Sequence, residues 1–301
     1  MIPVQRISPP EELEWFDSII FWGNALDILR RIPSESFQSV ITSPPYWGVR
    51  DYGIEGQIGL EKTLDQYLNR ILLVFSEVKR VLKKNGTLWL NVGDTYTSGN
   101  RGYRAPDKRY AARFMKEGRP DNPAGLKNKD LVGLPWRVAF LLQNDGWFLR
   151  SDIIWHKPNA MPESVKDRPI KSHEYLFLLS KTEKYYYDFQ AVMEPAKTTK
   201  LKGLRSVWNL NTIPFSGNHN ASFPITLILP CIRAASRQGD YILDPFFGTG
   251  TVGLACQELK RKFVGIELNR EFTLIASERL GLSKENIINI PPASNNRKEV
   301  A

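Results

Sequence analysis

Thr42-Ser43-Pro44-Pro45-Tyr46-Trp47 is the stretch on which the fold of this chain depends. It follows an apolar, β-prone run at residues 37–41, which predicts a buried strand with this turn at its carboxyl end. In an open α/β sheet, ligands bind at that edge. Two consecutive prolines fix φ and donate no hydrogen bond, so the turn is rigid and its carbonyl groups are free to accept. With the Ser43 hydroxyl and two aromatic faces beside it, the turn can bind an amino group and stack a flat ring. The alternative is a plain proline turn with aromatic side chains packed beneath it.

Strand and helix patterns alternate on both sides of this turn, which predicts an α/β fold with a parallel sheet. Thr63 and Gln66 have the spacing of a helix-capping pair, and Asn85-Gly86 is a typical helix stop. The predicted strands are 18–22, 37–41, 87–92, 147–155, 174–179, 185–187, 241–243 and 263–266. The predicted helices are a short one after Asn24, then 64–84, 131–144, 223–236, 251–261 and 269–280.

The positive charge is concentrated in two central segments. The chain has 301 residues and a net charge of +9. Residues 101–130 contain nine Lys or Arg and four Asp or Glu, and residues 157–205 contain ten and six. The remainder is neutral, so the pattern favours a polyanionic partner for these two segments. A solvated basic surface is the alternative.

Cysteine and histidine usage argues against metal chemistry. The chain has two cysteines and three histidines, without a Cys-x-x-Cys pair or a Cys/His cluster. We therefore expect neither a disulfide framework nor a metal site. The N-terminus is acidic and no apolar run approaches 18 residues, so we expect a soluble intracellular protein without a membrane partner.

A second motif lies about 200 residues after the first. Residues 248–253 match the glycine pattern G-x-G-x-x-G, and Glu267 follows Gly248 by 19 residues, which is typical of a dinucleotide site. However, Asp244-Pro245 puts a carboxylate where a pyrophosphate needs room. Only 34 residues follow Glu267, so the missing strands must come from residues 18–92. A carboxylate for an ammonium group, a close-approach glycine turn and an acid for ribose together suit S-adenosylmethionine.

Taken in this order, the two motifs resemble the permuted β group of amino DNA methyltransferases, the family that methylates cytosine N4 or adenine N6. That family has (D/N/S)-P-P-(Y/F/W) first, a target-recognition region in mid-chain and D-P-F-x-G-x-G late. The resemblance covers most of residues 18–281. It implies a circularly permuted, Rossmann-like, S-adenosylmethionine-dependent methyltransferase sheet. The implied organisation is a catalytic half at 18–156 with a basic loop at 96–130, a recognition region at 157–215, a cofactor-binding half at 216–281, and extensions at 1–17 and 282–301.

The resemblance also implies roles for individual residues. Two positions depart from the pattern: Asn24 replaces the usual aspartate that contacts adenine, and Phe223 replaces the lysine before Pro224. The implied catalytic residues, which bind a base flipped out of the duplex, are Ser43, Pro44, Pro45 and Tyr46. The implied cofactor-binding residues are Asn24, Thr42, Asp244, Pro245, Phe246, Gly248, Gly250, Thr251 and Glu267. The expected DNA-binding residues are Arg101, Arg104, Lys108, Arg109, Lys157 and Arg168.

The target base follows from the first residue of the turn. In this family serine is associated with cytosine N4 and aspartate or asparagine with adenine N6, so Ser43 favours cytosine and leaves adenine as the alternative. Carbon-5 methylation needs a Pro-Cys nucleophile. Pro230-Cys231 is present, but it lies in an apolar helical stretch, so we expect Cys231, like Cys256, to be a core residue.

Two other classes remain open: a DNA-binding protein without catalysis, and an RNA or protein amino-methyltransferase. The intact motifs argue against the first. The serine, the motif order and the basic central region favour DNA over the second. The expected partners are double-stranded DNA, a cognate restriction endonuclease and a second copy of the chain in a homodimer. The expected location is the cytoplasm of a prokaryote, at the nucleoid.

Overall fold

The computed structural model describes residues 13, 17–97, 122–195, 201–212 and 223–291. The predicted extension at 1–17 therefore lies almost wholly outside the described residues, as do 98–121 of the basic loop and the last ten residues. In chain order the elements are β1 (Ile19–Trp22), α1 (Ala25–Leu29), β2 (Phe37–Thr42), α2 (Leu64–Val81), β3 (Leu82–Val92), α3 (Leu134–Asn144), β4 (Phe148–His156), β5 (His173–Ser180), β6 (Glu194–Pro195), β7 (Leu201–Lys202), β8 (Val207–Asn209), α4 (Ile225–Ala235), β9 (Tyr241–Asp244), α5 (Thr251–Glu258), β10 (Lys262–Glu267), α6 (Arg270–Leu280) and β11 (Ile287–Asn289).

Nine of these strands form one sheet, in the order β11-β1-β10-β9-β2-β3-β5-β4-β8. Neighbouring strands run parallel except at β5, which is antiparallel to both β3 and β4. The late strands β9 and β10 lie between the early strands β1 and β2. Strands from the beginning of the chain therefore lie on both sides of the pair β9 and β10.

The sheet has an apolar core on each face, because successive side chains of a buried strand point to opposite sides. Val40 packs with α2 on one face, whereas the adjacent Ile41 packs with α4 on the other. Cys231 and Cys256 are both fully buried in the second core. The Cys231 thiol donates to the Leu227 carbonyl within α4, so its prediction as a core residue is confirmed.

Helix α2 begins as predicted and ends earlier than predicted. The Thr63 hydroxyl accepts from the Gln66 amide, and the Gln66 side chain accepts from the Thr63 amide, so the capping box is present. The predicted end at residue 84 is wrong, because the helix ends at Val81 and β3 starts at Leu82. Asn85-Gly86 does not cap the helix. A Cβ on Gly86 would lie 3.1 Å from the Gln38 carbonyl oxygen, so this glycine serves the close approach of β3 to β2.

The predicted strand at 185–187 is also wrong. The Tyr186 amide donates to the Asn85 carbonyl, but the three tyrosines belong to no strand. Two of the three rings pack against cations instead: Arg150 lies over Tyr185, and Arg237 lies over Tyr186. Aromatic residues are common in strands because their side chains pack well on neighbouring residues. Here the side chains pack in this way, but the backbone forms no ladder with a neighbouring strand.

Candidate active site

The carboxyl ends of β9, β2 and β3 open into a cavity of about 1180 Å³. Ser43, Pro44 and Tyr46, from the turn after β2, line one part of it. Asp244 to Phe247, from the turn after β9, line another part. Because β2 and β9 are neighbours, the two motifs that are 200 residues apart in the sequence meet in one site. The predicted residues Asn24, Pro45, Pro245, Gly248, Thr251 and Glu267 also line this cavity.

A direct hydrogen bond joins the two turns. The Thr42 hydroxyl donates to Asp244 Oδ1 over 2.6 Å, and the Phe246 amide donates to the same oxygen over 3.0 Å. Asp244 is 2% exposed. Burial raises its pKa to about 7, although the hydrogen bond from Thr42 acts in the opposite direction. Thr42 thus holds the carboxylate from beneath the cavity.

Glu267, at the end of β10, is the second carboxylate of the site, and it is partly buried. Its two oxygens accept from the Gly248 and Asn269 amides, over 2.7 and 2.8 Å. Burial raises its pKa to about 7, against the effect of these amides. No described Lys or Arg forms an ion pair with Asp244 or Glu267. The site therefore offers two carboxylates without a cationic partner among the described residues.

The glycine turn between β9 and α5 has a conformation that other residues rarely adopt. Gly248 has a φ of 52° and Gly250 a φ of 84°. A Cβ on Gly250 would lie 3.1 Å from the Ala276 Cβ, so α6 packs directly on the turn. Arg279 of α6 donates to the Thr249 carbonyl and, over 2.8 Å, to the Thr249 hydroxyl. The backbone of the turn is thereby held at the cavity wall.

Asn24 precedes α1 and has a structural task of its own. Its Oδ1 accepts from the Leu26 and Asp27 amides over 2.9 and 3.4 Å, which makes it the N-cap of the helix. It nevertheless lines the cavity, beside Gly56. Phe246 lines the same region, together with Tyr52 and Phe272, whose rings meet edge to face with centroids 6.0 Å apart.

The Ser-Pro-Pro-Tyr turn presents fewer groups to the cavity than the sequence predicts. The Trp47 ring is buried in the core and its Nε1 donates to the Glu61 carbonyl, so the predicted second stacking face is wrong. The Pro45 carbonyl accepts from the Tyr67 hydroxyl over 3.0 Å. No described residue donates to the Pro44 carbonyl. Ser43 Oγ, the Pro44 carbonyl and the Tyr46 ring remain for a ligand.

Tyr46 is tied to two neighbouring strands through its hydroxyl. The phenol oxygen lies 3.2 Å from Ser43 Oγ, 3.3 Å from Asn91 Oδ1 and 3.0 Å from Glu174 Oε2. The ring packs over Gly93, where a Cβ would approach it to 2.6 Å. Burial raises the pKa of Tyr46 well above its usual value, so the phenol keeps its proton.

The predicted DNA-binding residues have different surroundings. Lys157 lines the cavity and pairs with Glu174, and the two side chains are only 17% and 19% exposed. Arg168 pairs with Glu163 over 2.7 Å and stacks 3.8 Å over Tyr96. Arg101, Arg104, Lys108 and Arg109 lie outside the described residues.

Sequence reasoning missed Glu174 and Asn91. The sequence gives only part of the signal for Glu174, because the antiparallel direction of its strand comes from the order of the sheet. Glu174 lies at the start of an apolar strand, and the start of an antiparallel strand is at the same edge of the sheet as the carboxyl ends of its parallel neighbours. Across the described residues, no three His, Cys, Asp or Glu side chains cluster as metal ligands. In the same part of the chain, no helix is long and apolar enough to cross a membrane.

Comparison with known proteins gives a consistent result. The family described as DNA methylase matches residues 37–278. The type II methyltransferase M.XycI of Xanthomonas campestris pv. cyanopsidis is 61% identical over 290 residues, which cover 96% of this chain and 96% of that protein. The solved PvuII DNA methyltransferase (cytosine-N4-specific) covers 91% of this chain and 90% of its own, with a TM-score of 0.66 at 22% identity. A putative DNA modification methylase from Thermus thermophilus, solved with S-adenosyl-L-methionine, covers 92% and 99%, with a TM-score of 0.60 at 23% identity.

Proposed function

This chain belongs to the DNA methylase family, and from that premise we propose that it methylates the exocyclic N4 amino group of cytosine in double-stranded DNA. The methyl donor is S-adenosylmethionine. The observation that carries the proposal is the meeting of the Ser43-Pro44-Pro45-Tyr46 turn with the Asp244 carboxylate in one cavity. An acceptor for an amino group and an acid for a cationic ligand are thereby within one site.

The residues of the cavity fit this cofactor. Asp244 is buried without an ion pair to any described residue, so an ammonium group of a ligand complements it. Glu267 accepts hydrogen bonds and is suited to ribose hydroxyls, while Gly248 and Gly250 let the backbone approach closely. Asn24, Thr42, Pro245, Phe246 and Thr251 complete the proposed binding set. When bound, the cofactor supplies a methyl group on a positively charged sulfur.

The turn after β2 acts on the target base. The duplex must release that base into the cavity, and unstacking it costs a few kcal/mol. Tyr46 stacks on the flipped base and offsets part of that cost. Ser43 Oγ and the Pro44 carbonyl accept hydrogen bonds from the exocyclic NH₂. These bonds pull the nitrogen toward tetrahedral geometry and free its lone pair for attack, while Pro45 keeps the turn rigid.

Ser43 supports cytosine N4 over adenine N6, because serine at this position is associated with cytosine in the family. The name of the PvuII enzyme, cytosine-N4-specific, points in the same direction. Carbon-5 methylation is disfavoured, since the Cys231 thiol is buried in α4 and burial raises its pKa well above the usual value.

We assign target recognition to the parts of 157–215 that lie outside the central sheet. Residues 173–180 and 207–209 are strands of that sheet, so the proposed recognition region consists of the segments between and beside these strands. The bacterial relative named as a type II methyltransferase supports a restriction–modification role with a cognate endonuclease, in the cytoplasm of a bacterium. A homodimer stays a prediction.

The proposal is tested by the product. DNA from cells that express the protein is digested to nucleosides and analysed by mass spectrometry, and we expect N4-methylcytosine. Ser43→Ala should lower the methylation rate by on the order of 10²-fold, since one transition-state hydrogen bond is lost. Ser36→Ala, immediately before the amino end of β2, is the matched control and should keep full activity. N6-methyladenine alone would reject the cytosine assignment, and an absence of any methylated base would reject the proposed reaction.

A further inference from the structure

The Tyr46 hydroxyl has more acceptors around it than it has protons. Asn91 Nδ2 donates to the Tyr175 carbonyl over 3.1 Å, so the amide oxygen of Asn91 is the atom that faces Tyr46. Glu174 faces Tyr46 with a carboxylate oxygen. Burial, the largest single effect, raises the Glu174 pKa, but Lys157, the Tyr46 hydrogen bond and Lys171 together lower it below its usual value, so the carboxylate is ionised. Neither neighbour has a proton to give.

The direction of the hydrogen bond between Tyr46 and Ser43 follows from the number of acceptors around the Tyr46 hydroxyl. A phenol has one proton and accepts with its lone pairs. Glu174 is the nearer acceptor and is charged, so it takes the Tyr46 proton. The contact between Tyr46 and Ser43 therefore has to be made by the Ser43 proton. Once Ser43 donates to Tyr46, its hydroxyl oxygen is only an acceptor toward the cavity.

We propose that Glu174 is a positioning residue which, through Tyr46, holds the Ser43 hydroxyl as an acceptor for the target amino group. This inference rests on the proposed function. It adds a basis for base selection: cytosine presents an N4 donor, whereas uracil and thymine present an O4 acceptor. When the Ser43 proton is donated to Tyr46, the Ser43 oxygen binds the N4 amino group of cytosine and repels the O4 oxygen of uracil or thymine.

The packing around the chain of hydrogen bonds keeps it in this arrangement. The Lys157 ammonium pairs with Glu174 and lies 4.1 Å from the centre of the Trp155 ring. Gly93 leaves the space that the Tyr46 ring occupies. The family pattern accepts Phe or Trp at the position of Tyr46, so the hydroxyl relay is a property of this chain and not of the turn itself.

Two nearly isosteric variants separate the relay from a general structural effect. In Glu174→Gln the amide oxygen stays toward Lys157, so the amide NH₂ faces Tyr46 and competes with Ser43 for the phenol oxygen. Tyr46→Phe removes that oxygen and leaves the Glu174–Lys157 pair intact. We expect each change to lower kcat by about tenfold, with KM for S-adenosylmethionine within about twofold. Glu194→Gln, which alters an exposed pair with Lys202, is the control.

The double variant gives the decisive comparison. If Glu174 acts through Tyr46, adding Glu174→Gln to Tyr46→Phe should change kcat by less than about twofold. A further tenfold loss would overturn the proposal, and so would an unchanged kcat in either single variant. Melting temperatures of the variants show whether the measured rates refer to folded protein. If Glu174→Gln folds poorly, the proposal is tested with Tyr46→Phe alone.

Binding to duplexes with uracil at the target position provides a readout that a merely structural role would not move. The unmodified enzyme should bind the uracil duplex about tenfold more weakly than the cytosine duplex, and Tyr46→Phe should reduce this difference. Equal discrimination in both proteins would contradict the relay. An enzyme that makes no N4-methylcytosine fails the proposed function instead, and the two failures are thus distinguishable.

Discussion

Asp244 is a buried carboxylate and Glu267 is a partly buried one, and they lie at the ends of the adjacent strands β9 and β10. Their ordinary pKa values of 3.8 and 4.5 rise to about 7 in the fold. The folded protein therefore holds these protons more tightly than the unfolded chain, and their contribution to stability falls as pH rises from about 4 to about 7. Above about pH 7 both groups are charged without a cation among the described residues. A cationic ligand relieves that cost.

Binding of S-adenosylmethionine should accordingly weaken as pH falls below about 7, by up to about tenfold per pH unit for each proton that must be displaced. Asp244→Asn should weaken binding at pH 8 by about 10- to 100-fold, because a charge-assisted hydrogen bond contributes about 1.5–3 kcal/mol. It should also flatten the pH profile. Calorimetric titration between pH 6 and 8 measures both effects. Asp167→Asn, which alters an exposed pair with Lys129, is the control. If Asp244→Asn binds S-adenosylmethionine with unchanged affinity, the proposed contact between the cofactor and Asp244 is wrong.

At the residue scale, the sequence predicted groups at the carboxyl ends of strands and missed Glu174, which lies at the start of a strand. Ser43 and Asp244 each follow a recognisable strand, and both line the cavity. Glu174 was missed because its strand runs antiparallel, a fact that depends on the order of the sheet. Trp47 was assigned to the site because an aromatic residue beside a turn has the same sequence signature in a core and in a pocket.

At the scale of elements, the turn between β9 and α5 combines a restricted backbone with a close contact. The sequence predicted this element well, because its glycines have a local conformational cause. It predicted the 82–86 segment badly. Asn85-Gly86 is a local helix stop, but the pairing of Leu82 with Phe37 of β2 extends the strand back to Leu82. In this segment the pairing between strands outweighs the local helix-stop signal, and that pairing cannot be read from a single sequence.

Gly250→Ala should reduce both stability and cofactor affinity. A φ of 84° strains any residue with a Cβ, at a cost of about 1–2 kcal/mol, and the new methyl group would lie 3.1 Å from Ala276 and Leu280. The turn must then shift away from α6 and toward the cofactor site. We expect a melting temperature lower by a few degrees and a several-fold higher Kd for S-adenosylmethionine, measured by thermal shift and calorimetry.

Gly133→Ala is the matched control for this prediction. Gly133 is also a left-handed N-cap of a helix, with a φ of 70°, but a Cβ there meets nothing within 4 Å. It should lose stability through its backbone alone and keep its cofactor affinity. A Gly250→Ala variant that binds as well as Gly133→Ala would contradict the role of the turn in cofactor binding.

At the scale of the whole molecule, the fold brings together described residues that flank the segment 98–121. Tyr96 and Leu131 form a bridge, and the Thr97 amide donates to the Asp130 carbonyl over 2.9 Å. Two described residues on either side of the segment 98–121, Thr97 and Asp130, therefore meet just after β3, close in the chain to Asp94 and Thr95, which line the cavity. Composition predicted the concentration of charge, whereas the position of these flanking residues near the cavity required the fold.

DNA affinity should fall with salt in proportion to the phosphates that this segment contacts. The logarithm of the binding constant decreases by about 0.9 per contacted phosphate for each unit of log salt. Replacing Arg101, Arg104, Lys108 and Arg109 with glutamine should flatten the measured slope by up to about four contacts, or roughly 3.6. Lys83→Gln with Lys84→Gln, at the amino end of β3 and away from the cavity, should leave it unchanged. If the variant with all four substitutions keeps the original slope, these four residues do not contact the DNA phosphates. Residues 157–215 would then be the proposed binding site for the duplex.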